Sequence, residues 1–323
     1  MSMGKRSYYL FIYSLLILLF SATLVAGDCT CDHEEITKDQ NSDTLKYKLG
    51  AIFIILVASA LGVCLPIIGK SFPSLHPESN SFFRVKTFAA GVILSTGFIH
   101  VLPDAFESLT SPCLKENPWG KFPFTGLAAM VGALGSLMID AFATGHNRRV
   151  HFGKATVAAG VDEEISGDHA GHVLEMGIVV HSVIIGISLG TSESLDTIKP
   201  LMAALCFHQF FEGVGLGGCI VQAAFKSAST LCMALFFSLT TPVGIAIGIG
   251  ISNVYDESSP TALIVQGLLD AVAAGILIYM ALVDLLAQDF MNPKMQTNTR
   301  LFFGANLTLL LGAGFMAVLA IWA

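Results

Sequence analysis

Charge is what this sequence has least of. Asp, Glu, Lys and Arg make up 13% of its 323 residues, against about 25% in an ordinary soluble domain. That shortage excludes a large water-soluble mass. Cysteine is sparse too. The seven present are too scattered for a disulfide scaffold, and no pair has zinc-finger spacing. Cys64, Cys206, Cys219 and Cys232 fall inside apolar runs and read as packing residues. No convincing phosphate loop or dinucleotide-binding glycine motif is present, so ATP drive is not expected. The same holds for a resident cofactor and for a nucleic-acid partner.

What is abundant is apolar length. Hydrophobic residues are 54% of the chain, and mean hydropathy is +0.70. The chain therefore reads as a membrane protein whose main partner is the lipid bilayer. Residues 1–27 have the form of a secretory signal peptide: Lys5 and Arg6, then the apolar Leu10–Phe20, then Val25-Ala26-Gly27 as a small-residue cleavage site. The other reading of this stretch is a first transmembrane helix. Residues 28–47 form a polar, acidic tail containing Cys29, Cys31 and His33. It either gathers cations outside the membrane or is simply solvated.

Residues 48–323 carry eight apolar runs of helical length. They are expected over Lys48–Gly69, Val85–Leu109, Phe122–Gly145, Val173–Thr191, Pro200–Ala223, Ser229–Ile251, Thr261–Leu286 and Leu301–Trp322. Pro66, Pro103 and Pro242 mark expected kinks. The fold class is an all-α membrane protein with eight transmembrane helices. With the mature N-terminus outside, the cytosolic loops hold nine basic residues: Lys70, Arg84, Lys86, Arg148, Arg149, Lys154, Lys226, Lys294 and Arg300. The outer segments hold six: Lys38, Lys46, Lys48, Lys115, Lys121 and Lys199. This excess points to extracytoplasmic termini at both ends.

The informative residues are the polar ones that a bilayer should reject. His208 and Glu212 stand four apart and share a helix face. His181 lies near the middle of the preceding run. An unpaired acid at that depth costs at least about 2.5–3.5 kcal/mol on insertion scales. A divalent cation held by two imidazoles and a carboxylate would offset it. His100 and Asp104 repeat the four-residue spacing, as a structural hydrogen bond or as part of an ion route. Asp140 sits near a cytosolic mouth, where it either snorkels or lines the path. Asp270 is deep enough to need a partner, and Asp284 follows fourteen residues later on nearly the same face. The loop 146–172 holds His146, His151, His169 and His172, read either as a cytosolic metal-binding loop or as a polar loop with scattered histidines.

On these residues the chain resembles the ZIP family of divalent metal transporters, in its plant zinc- and iron-regulated branch. The resemblance rests on His181-Ser-Val-Ile-Ile-Gly186, His208-Gln-Phe-Phe-Glu-Gly213 and Gly91–Ala105, with Pro118–Pro123 and Asp270–Gly275 in support. It implies eight helices in a 3+2+3 arrangement, inverted repeats flanking a central pair. It implies His181, His208 and Glu212 as metal ligands with Gln209 and Ser182 beside them, and His100 and Asp104 along the pathway. It implies movement of Zn2+, or Fe2+, Mn2+ or Cd2+, into the cytosol across the plasma membrane. A homodimer is the oligomer expected, and no enzymatic activity is.

Two positions depart from the family's bacterial members, which carry carboxylates at the places of Ile185 and Thr241. That departure puts a second metal in the site in doubt. Two other classes compete with transport. A membrane-embedded zinc hydrolase would need a general base beside the metal, and His-Glu-x-x-His is absent. A metal sensor would depend on the histidine loop.

Overall fold

The computed structural model describes residues 38–69, 79–152, 181–192, 194–222, 227–252 and 259–321. Among them every regular element is a helix, as it must be for a chain whose backbone polar groups are satisfied within apolar surroundings. Seven helices are long and apolar enough to cross a membrane. The eighth expected span is described only over His181–Thr191. The signal peptide (1–27), His169 and His172 lie outside the described residues, as do Cys29 and Cys31.

We number the helices α1 (Lys38–Gly69), α2 (Asn80–Leu109), α3 (Phe124–Phe152), α4 (His181–Thr191), α5 (Leu195–Gln222), α6 (Ser227–Ile251), α7 (Pro260–Phe290) and α8 (Thr299–Leu319). Ser79 caps α2 by accepting from the Phe82 amide, and Ser259 caps α7 by accepting from Ala262. Several helices outrun their apolar cores. α1 begins ten residues before the expected Lys48, so the tail 28–47 is helical from Lys38. The exposed Asp43–Lys46 ion pair (2.9 Å) supports that polar extension. α3 runs on to Phe152, so His146 and His151 belong to a helix rather than to the loop 146–172. Arginine is a good helix former, and the Arg148-Arg149 step continues the ladder beyond the apolar run. α5 starts at Leu195 and carries Pro200 inside it.

Four close pairings build the bundle, each made where a glycine lets two backbones meet. α1 lies on α5, where a Cβ on Gly62 would strike the Phe210 carbonyl. α2 lies on α8 through Gly91 and Gly312, and α3 on α7 through Gly132 and Gly275. α4 lies on α6 through Gly186 and Gly244. Exchange α1 with α6, α2 with α7, α3 with α8 and α4 with α5, and this set of pairings maps onto itself. That is the pattern of two three-helix repeats about a central pair.

α5 is the most enclosed of the long helices and α3 and α8 the least. Phe142, Phe303 and Leu310 point outward from those two, as expected of surfaces that meet lipid. A helix apolar all round belongs in the middle, and α5 is held there by Phe211 against Phe88 of α2 and by Phe207 stacked on Phe315 of α8. The central helix is thus the one carrying His208 and Glu212.

Candidate metal site

His181 opens the described part of α4, while His208 and Glu212 lie one helical turn apart on α5. One ligand atom from each falls within 4.8 Å of the others. Tetrahedral ligands at zinc distances stand about 3.3 Å apart, so side-chain adjustments of about 1 Å would close the set. The His181 and His208 rings are 5.6 Å apart.

The three residues are buried, and no polar atom of their side chains finds a hydrogen bond. Both nitrogens of His181, both of His208 and both Glu212 oxygens lack a partner among the described residues. Each orphaned polar group costs about 1–3 kcal/mol, and a charged one more. Three residues with unpartnered side chains, each bringing one ligand atom to the same place, suit a cation. The orphans continue around the cluster: Ser182 Oγ, both ends of the Gln209 amide and Thr241 Oγ1 are also buried without a partner. Thr241 comes from α6, brought close by the Gly186–Gly244 approach.

Ile185, at the place where the family's bacterial members carry a carboxylate, packs against an apolar cluster with Leu189, Ile198 and Leu205. The second half of the site therefore has neutral groups only. Glu212 is the one acid in the cluster.

The four-residue spacing of His100 and Asp104 misleads. Residues Thr96–Val101 form a π-helical turn just before Pro103. Proline lacks an N–H and crowds the preceding turn, and the wider turn accommodates it while rotating the residues beyond it. π-turns recur at functional sites. His100 is buried with its ring 6.0 Å from His208 and its Nε2 unpartnered. No hydrogen bond joins it to Asp104. Asp104 lies instead on the stretch Leu102–Leu109, which packs against α7, the helix of buried Asp270. Of the two residues, His100 is the one in ring contact with the histidine cluster.

Asp140 on α3 accepts a 3.2 Å hydrogen bond from the Tyr279 hydroxyl of α7. Asp284 is buried with Oδ2 unpartnered.

One charged pair escaped the sequence reading altogether. Lys86, counted above among loop cations, is 1% exposed inside α2, with its Nζ 2.9 Å from Asp289 Oδ1 of α7. Its position inside an apolar run was the available signal. Its partner is 203 residues away, and no spacing rule reaches that far. Lys48 is likewise buried in α1. Each side of the basic-residue comparison loses one member, and the difference between the sides is unchanged.

Comparison with known proteins agrees with this arrangement. The family described as "ZIP Zinc transporter" matches residues 45–173 and 158–320. Zinc transporter 5 of Oryza sativa subsp. japonica is 50% identical over 97% of this chain and 98% of its own length. Zinc transporter 3 of Arabidopsis thaliana is 52% identical over 97% of both chains. Fe(2+) transport protein 2 of Oryza sativa subsp. japonica is 50% identical over 86% of both. With a family match over most of its length and relatives at half identity, this chain belongs to the ZIP family of metal transporters.

Proposed function

We propose that this transporter carries zinc(II) into the cytosol, one ion at a time, on His181, His208 and Glu212. Membership of the family makes it a divalent metal transporter and not an enzyme. The observation supporting the site is the convergence of one unpartnered ligand atom from each of three buried residues. Imidazole and carboxylate suit zinc, and they suit iron(II) as well. The relatives named as Fe(2+) transport proteins make iron(II) the second reading.

In this reading Asp104 and Asp270 attract the ion at one end of the bundle. His100 passes it to His208, and Glu212 supplies the charge that holds it. Ser182, Gln209 and Thr241 offer neutral oxygens in place of its water. Asp140 and Asp284 receive it at the other end. No nucleotide is needed. A double charge crossing a potential of about 100 mV gains about 4.6 kcal/mol, at roughly 2.3 per charge. That is worth more than a thousandfold in concentration, enough for passive alternating access. We place the protein in the plasma membrane with both mature termini outside.

Uptake of radiolabelled zinc, iron(II) and manganese(II) into vesicles holding the purified chain tests the proposal. Zinc should accumulate fastest, and Glu212→Ala should abolish accumulation. Accumulation of iron(II) with zinc excluded would replace the first reading by the second.

A further inference from the structure

Transport through the central site leaves the buried charge of Lys86 unexplained. Lys86 lies six residues into α2, and its side chain reaches the C-terminal part of α5. A Cβ added to Gly218 would stand 4.0 Å from Lys86 Cδ. Gly218 follows Glu212 by six residues, about 9 Å along the helix axis. The ammonium bonds Asp289 Oδ1 at 2.9 Å, and its charge also reaches Asp284. The second oxygen of each aspartate is buried and has no partner. Asp140 of α3 is hydrogen-bonded to Tyr279, five residues before Asp284 on α7. A fixed cation thus sits at Asp289, with Asp284 in reach of its charge, less than two turns of α5 from Glu212.

A dry set of aspartates is a poor place to release a divalent ion. Attraction in such surroundings is strong, and an ion leaving Glu212 would stop there. A tethered ammonium changes that balance. It neutralises part of the acid set, and it returns to Asp289 as soon as the divalent ion moves on. The geometry points to Lys86 as a positioning residue for release: a built-in competitor that a departing metal displaces from Asp289 and that displaces it in turn. This rests on His181, His208 and Glu212 being the ion site.

The test uses the full chain purified in detergent, with zinc per protomer measured by elemental analysis after desalting. It also uses zinc uptake into vesicles. Lys86→Met should retain about one additional zinc ion per protomer and take up zinc several-fold more slowly. The extra ion should persist when Glu212→Ala removes the central site, and disappear in Lys86→Met/Asp289→Asn. Lys86→Arg, which keeps the charge, should gain none. Should Lys86→Met not give monodisperse protein, Lys86→Gln carries the same expectations, since its amide still donates to Asp289 without the charge. Monodisperse Lys86→Gln or Lys86→Met with no added zinc and unslowed uptake would overturn the inference and leave the pair purely structural. If the wild type binds no zinc that Glu212→Ala removes, the central site is what fails, whatever Lys86 does.

Discussion

Glu212→Gln separates a metal ligand from a merely buried acid, because the two roles predict opposite signs. The side chain is wholly buried, and neither of its oxygens is bonded. Without metal, replacing an orphaned carboxylate by a neutral amide of the same shape removes a burial penalty, so the metal-free variant should melt at a higher temperature than the wild type. With zinc the order reverses. Taking one partner from a buried charge pair costs about 3–5 kcal/mol, so zinc should bind on the order of a hundredfold to a few thousandfold more weakly. At a zinc concentration near 100 times the wild-type Kd, binding stabilises the wild type by about 2.7 kcal/mol. A variant bound a hundredfold more weakly would gain only about 0.4 kcal/mol under the same conditions. The assay is thermal unfolding in detergent with and without zinc, followed by uptake in vesicles at matched protein density. Equal stabilisation of both proteins by zinc, with undiminished uptake by the variant, would refute Glu212 as a ligand.

Four further outcomes follow from the packing, the loop charge and the site. Gly275→Val forces a side chain into the Ala129 backbone and should cost at least about 1–3 kcal/mol, seen as a lower melting temperature or loss of monodisperse protein. Gly135→Ala, with open space around it on the same helix α3, should not lower melting and should raise it slightly, since alanine favours a helix over glycine by about 0.8–1 kcal/mol. A tag placed after Ala323 should be reached by antibody on intact cells, and labelling only after permeabilisation would reverse the topology. Ile185→Glu adds a second acid one turn from His181 and should raise metal retention while slowing uptake. Two tightly coupled ions per wild-type site, by anomalous scattering or titration, would overturn the single-ion reading.

Helical spacing made part of this molecule legible. His208 and Glu212 announced themselves because a four-residue step on one helix survives folding unchanged. The apolar runs located the helices for a similar reason, since a bilayer-length segment has few alternatives. The helix ends were harder to see. Lys38–Tyr47 and His146–Phe152 are polar and helical together, and hydropathy registers only the first property. His100 and Asp104 show the limit within a single helix: one π-helical turn before Pro103 sends residues with ideal spacing to different neighbours.

Contacts between helices obey no such spacing. Gly186 of α4 meets the Thr241 backbone of α6, a contact between two helices that no local spacing predicts. The Lys86–Asp289 pair is the harder case, because each residue taken alone looks like a charge near a helix end. Only the burial of both reveals a pair that must stay together, since either one left unpartnered would be a charge in a dry interior. The distribution of charge then obeys one logic along the bundle. Acids without cations stand at Asp104 and Asp270, a single acid faces histidines at the centre, and acids shared with a lysine stand at the far end. In the proposed reading, attraction is strongest where the ion enters and is partly cancelled by Lys86 where it leaves. In that reading the lysine changes how long an ion is held, while the membrane potential sets its direction.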